Sequence, residues 1–222
     1  MTTYTEPIMI ATLIFPIITL FLTFPIALIQ YRRKGSLSFF YSFLTFSFIY
    51  YLLAAYFLVI LPLPNIQDVN TTYSEMMQLI PFQFVLDIIR ETNLNPLNPK
   101  SYLPALIQPV ILQVIFNIIL TIPFGMYLRY FFKRTFKQAV FIALGLALFF
   151  ELSQLSGLFF MYPGPYRLFD VDDLILNTSG SLIGFASVPL FGRLLPKTEN
   201  IDSKLRARAD RISILKRWVH SV

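Results

Sequence analysis

Long apolar runs broken by short polar stretches dominate this chain. Five segments, about residues 8–30, 37–61, 106–128, 138–161 and 174–194, are free of charge or nearly so. Each reaches the ~20 helical residues that cross a hydrocarbon core of roughly 30 Å. The pattern predicts an all-α fold: a polytopic membrane helix bundle of about five transmembrane helices. The first segment is preceded by Glu6 rather than by basic residues, has no small-residue cleavage site and runs into the basic "YRRKG", so it is expected to be a retained helix and not a signal peptide. Pro16 and Pro25 within it are expected to bend it, because each removes a backbone donor.

The connections divide the chain further. Two N-terminal helices occupy residues 1–61, an extracytoplasmic connection 62–105, a three-helix core 106–195 and a basic tail 196–222. The connection contains "SEMMQLIPFQFVLDIIRET", too short and too charged to span but apolar on one side, which suits an interfacial or re-entrant segment, or a helix packed over the mouth of the bundle. "NLNPLNPK" then reads as a turn. In the tail, Ile201, Leu205, Ile212, Leu215 and Val219 recur near helical periodicity among Arg and Lys, as in a cytoplasmic helix lying on an anionic leaflet; a basic tail without fixed structure fits the same residues. No internal repeat supports an inverted-repeat transporter.

Charge adds direction to this outline. Of the 18 basic residues, Arg32, Arg33, Lys34, Arg129, Lys133, Arg134, Lys137 and all those from Arg193 onward fall on one side of five crossings. Only Arg90, Lys100 and Arg167 fall on the other. The positive-inside rule therefore predicts the N-terminus outside and the C-terminus in the cytoplasm. Composition agrees with a membrane class, at 56% apolar and 14% charged residues. With no cysteine and a single histidine, His220, thiolate chemistry and intramembrane imidazole chemistry are excluded. A nucleic-acid partner is not expected, and membrane lipids are.

Polar residues inside the last three segments raise the question of chemistry. Asn117, Glu151, Gln154 and Asn177 lie in apolar surroundings, and the loop "YRLFDVDD" supplies Arg167, Asp170, Asp172 and Asp173. Glu151 and Gln154, three apart, share a helix face. Glu151 lies about 13 residues into its segment at ~1.5 Å each, and segment directions bring Asn117 and Asn177 to a similar depth in the outer half of the bilayer. A charged carboxylate at a helix centre costs roughly 2.5–3.5 kcal/mol on insertion scales, so Glu151 needs a cation, a proton or water. Arg167 is the candidate partner, through a bidentate guanidinium. The bland alternative is interhelical glue, worth about 0.6 kcal/mol per hydrogen bond. Acids at the start of the last helix also suit its dipole and free N–H groups, although one cap needs one aspartate. Gly180 and Gly184 form a GxxxG for close packing.

"LIPF" (79–82), "NIILTIPFG" (117–125), "ELSQ" (151–154) and "RLFDVDDLILNTSGSLIG" (167–184) together resemble the VanZ-like family of bacterial integral membrane proteins, whose namesake is associated with teicoplanin resistance. The resemblance covers roughly residues 79–190. It implies that Asn117, Pro123, Gly125, Glu151, Gln154, Arg167, Asp170, Asp173, Asn177 and Gly180 are signature positions of a small cell-envelope protein of the plasma membrane, of Gram-positive type. Three readings follow. In the preferred one, which is not enzymatic and needs no cofactor, an outer-leaflet polar pocket binds a lipid, a lipoglycopeptide or a lipid-linked cell-wall precursor. In the second, an intramembrane enzyme acts on a lipid-linked substrate, with Asp170, Asp172 and Asp173 on Mg²⁺ and Glu151 as general base. The third is a proton-coupled carrier.

Overall fold

The computed structural model describes residues 2–69, 72–92, 97–192 and 196. The tail helix expected over 201–222 and part of the turn at 93–100 lie outside these. Among the described residues, five helices are long and apolar enough to cross a membrane, and the chain divides into two compact units.

The N-terminal unit holds α1 (Thr2–Lys34) and α2 (Phe39–Ile60). Pro7, Pro16 and Pro25 all lie inside α1, which runs through them as one helix. The hydroxyls of Thr12, Thr19 and Thr23 bond carbonyls of neighbouring turns. The link between the helices is fixed by Gln30, which accepts from the Ser38 amide and donates to Ser42 Oγ. Ser38 in turn caps α2. Farther along the pair, Thr12 and Tyr50 hydroxyls lie 3.0 Å apart, and Phe15 meets the Tyr50 ring edge-on at 5.1 Å.

The second unit, residues 62–189, contains α3 (Gln83–Glu91), α4 (Tyr102–Leu106), α5 (Pro109–Tyr130), α6 (Phe136–Leu155), the single turn α7 (Gly157–Phe160) and α8 (Val171–Ser187). The connection 62–105 thus folds into the same unit as the three C-terminal spans. A two-residue parallel pair, β1 (Met77–Gln78) with β2 (Phe169–Asp170), matches Met77 to Phe169 and Gln78 to Asp170. It is a departure from an otherwise all-α design, and it stitches the connection to the loop before α8.

Helix ends follow local chemistry. Pro109 opens α5 at a position where its missing N–H costs nothing. Thr135 and Gln138 form a reciprocal capping box on α6. The fourth apolar segment was expected to stay helical to residue 161, but α6 stops at Leu155. Gly157, Leu158, Phe159 and Phe160 follow with φ of 54° to 67°, a left-handed turn that reverses the chain. The Phe160 amide bonds the Ser156 carbonyl and the Phe159 amide its hydroxyl.

The core of this unit is the crossing of α5 and α8. A Cβ on Gly125 would strike the Ser181 carbonyl, one on Gly180 the Ile118 carbonyl, and one on Gly184 the Ile122 carbonyl. Glycine is therefore what lets the two backbones touch. Below the crossing, Arg129 donates to the Phe185 carbonyl at 3.3 Å and stacks on the Phe185 ring at 4.9 Å. The cation meets α8 near its C-terminus, where the helix dipole favours positive charge.

Candidate functional site

The loop between α7 and α8 carries the acids, and the reversal at Gly157 returns it towards α6. The three aspartates there have three separate sets of partners. Asp170 is the N-cap of α8, accepting from the Asp172 amide at 2.8 Å, and also accepts from Gln78 Nε2 at 3.2 Å. Asp172, 2% exposed, turns to another helix. Its two oxygens accept from the amides of Phe82 at 2.5 Å and Phe84 at 2.8 Å, capping α3. Phe82 takes a left-handed φ of 65° as the residue preceding that helix. Asp173 accepts from the Asn117 side-chain amide on α5 and from Gln113 one turn before it.

Glu151, 2% exposed on α6, accepts from the Asp170 amide at 3.0 Å through Oε2. A buried carboxylate thereby holds the backbone at the start of α8. Asp170, Asp173 and Arg167 all lie within electrostatic reach of it. Arg167 is exposed, and its charge also reaches Asp173. Gln154 is buried one turn beyond Glu151 on the same helix. On α8, the Asn177 carbonyl accepts from Thr121 Oγ1 at 2.7 Å and Ser181 Oγ at 3.1 Å. The Asn177 side-chain oxygen, in a residue 4% exposed, has no hydrogen-bond partner. Pro123 lies inside α5 next to the glycine crossing.

Burial holds the Asp170 carboxyl above its ordinary range; hydrogen bonds from Asp172 and Gln78 oppose the shift, while the charges of Asp172 and Asp87 add to it. Asp87, on α3, accepts from Gln83 at 2.9 Å, so α3 contributes a further acid to this end of the unit. Because Asp170, Asp172 and Asp173 serve different donors, they do not form one cage. Among the described residues, no three acids or histidines are grouped to hold a metal ion.

Glu151, Asp170, Asp172, Asp173, Asn117 and Asn177 all belong to one connected region of α5, α6, α8 and the preceding loop. Sequence reasoning passed over Gln78 and Gln113. Gln113 stands four residues before Asn117 in the same apolar run, a spacing that puts both on one helix face and would have found it. Gln78 carried no such signal, because its role comes from a strand pairing with residues far along the chain.

Five apolar helices, the last three carrying buried polar side chains, define a multi-pass protein of the bacterial cell membrane. The chain belongs to the VanZ/LLP1 family, whose model matches residues 48–192. No curated protein and no solved structure matches it.

Proposed function

We propose that this protein is a non-enzymatic envelope protein whose intramembrane polar site, opening towards the outer leaflet, engages a lipid or a lipid-tailed ligand. In a cell exposed to teicoplanin-type lipoglycopeptides it reduces drug efficacy, by binding the drug or by altering its access to lipid-linked cell-wall precursors. One observation carries the reading. The polar set is not closed on itself: Glu151 is buried among apolar helices beside Asp170 and Asp173, while the buried Asn177 side-chain oxygen has no partner. Helix glue satisfies its polar groups, whereas ionisable residues inside membranes usually mark function. The enzyme alternative is less well supported, since the three aspartates proposed for Mg²⁺ serve separate hydrogen-bond donors.

The test compares wild type with Glu151→Gln in a glycopeptide-susceptible Gram-positive host at matched membrane levels. Glutamine keeps an oxygen for the Asp170 amide and removes the ionisable group. Expected is a raised minimum inhibitory concentration of teicoplanin with wild type, more than of vancomycin, that returns to the host baseline with Glu151→Gln. Full protection by the variant overturns the site. No protection by wild type overturns the resistance role.

A further inference from the structure

We infer that α3 (Gln83–Glu91) lies within the leaflet at the acidic end of α8, with one apolar face against lipid chains. Its amphipathic pattern is turned outward. Phe82, Val85, Leu86 and Ile89, at the i, i+3, i+4, i+7 spacing of one helix face, are 41–68% exposed. Gln83, Phe84, Asp87 and Ile88 are only half-buried on the opposite side, where the charge of Asp87 reaches Asp170. In water the exposed face of a surface helix is its polar one. Here the polar Gln83–Asp87 pair looks towards the protein, an arrangement that hydrocarbon favours and water does not.

Depth follows from the hydrogen bonds. The first amides of α3 are held by Asp172, the second residue of α8, so the start of α3 sits level with the end of a membrane span. Nine residues at ~1.5 Å each reach about 14 Å, less than half of a ~30 Å core, so the helix cannot cross and lies along one leaflet near that level. Leu79 and Ile80, just before it, are also exposed and extend the apolar surface. α3 packs against α5, a spanning helix whose Leu112 and Ile119 are likewise exposed. The occupant is therefore the acyl region of the lipid leaflet, and Arg90 in the last turn can reach the headgroups above it.

The chain has no native cysteine, so single nitroxide labels give a clean reading. Full-length Val85→Cys, Leu86→Cys, Ile89→Cys and Glu91→Cys are labelled and reconstituted in vesicles of phosphatidylethanolamine and phosphatidylglycerol. Collisions with oxygen, which partitions into lipid, are compared with those of a water-soluble nickel chelate. Expected is oxygen-dominated relaxation at 85, 86 and 89, with loss of nickel contact, and nickel access restored at 91. Nickel access along the 85–89 face overturns the proposal, because the helix then lies in water. Protection from both reagents overturns it as well, because protein then covers the face. Should a label disturb folding, Ile89→Trp in a Trp218→Phe background gives a second measure: quenching by brominated lipid chains is expected, and its absence counts against lipid burial.

Discussion

Asp170, Asp172 and Asp173 stand within four residues of one another, yet each serves a different element: α8 itself, α3, and α5. The middle one holds the start of a separate helix with both of its oxygens, and its loss should be local and large. In Asp172→Ala the Phe82 and Phe84 amides lose their acceptor, and an unsatisfied buried donor costs ~1–3 kcal/mol. Hydrogen exchange across residues 82–86 is expected to quicken by roughly ten- to a hundredfold, with α5 and α8 little changed. Asp172→Asn, which keeps one acceptor oxygen, should give a smaller effect. Unaltered exchange in the alanine variant would mean that the carboxylate is not what holds α3. The sequence made it legible that an acid cluster opens the last helix and that one aspartate suffices as its cap. It could not reveal what the remaining two do, because Phe82 lies 90 residues from Asp172 and offers only a backbone amide, which no side-chain pattern announces.

Whole elements were more legible than their ends. Apolar runs long enough to span mark α1, α2, α5, α6 and α8, since length and hydropathy alone decide whether a helix can cross. The stop of α6 at Leu155 was hidden, because "LSGLFF" is as apolar as a helix and only the left-handed backbone from Gly157 to Phe160 ends it. Three of those four residues are not glycine, at about 1–2 kcal/mol each, so surrounding contacts must impose the turn. The Met77–Gln78 strand was hidden for a similar reason: two residues carry no periodicity. The glycines of α5 and α8, by contrast, make a sharp prediction about packing. In Gly180→Val the new side chain meets the Ile118 carbonyl and Thr121, and overpacking costs ~1–3 kcal/mol, more against rigid backbone. At roughly 2–4 °C per kcal/mol for a chain of this size, thermal unfolding in detergent should shift down by several degrees. Gly145→Val on α6, where a Cβ meets nothing within 4 Å, serves as the control and should unfold close to wild type. Equal shifts in the two variants would show that helix propensity, not the α5–α8 contact, sets the cost.

At the scale of the molecule, charge orders both the helices and the membrane. Acids gather where α8 begins and Arg129 sits where it ends, so the dipole of that helix and the distribution of loop charges point the same way. If all five apolar segments cross, the order of the sequence puts 15 of the 18 basic residues on one side, and because cytoplasmic loops are the ones enriched in Lys and Arg that side is expected to be the cytoplasmic one. The connection before α5 and the short loop after it flank a single span, which makes them a direct probe of orientation. In intact cells, Ser74→Cys is expected to react with a membrane-impermeant maleimide, while Arg134→Cys, exposed in the loop 131–135, reacts only after lysis. The reverse pattern would place the acidic end, with Glu151 nearer to it than to the basic end, on the cytoplasmic side. A drug acting from outside would then have no route to the site except across the bilayer. Labelling of both positions in intact cells would instead mean that α5 does not cross, and the three-span core would have to be redrawn. Only the first outcome is compatible with a polar site that meets its ligand in the outer leaflet.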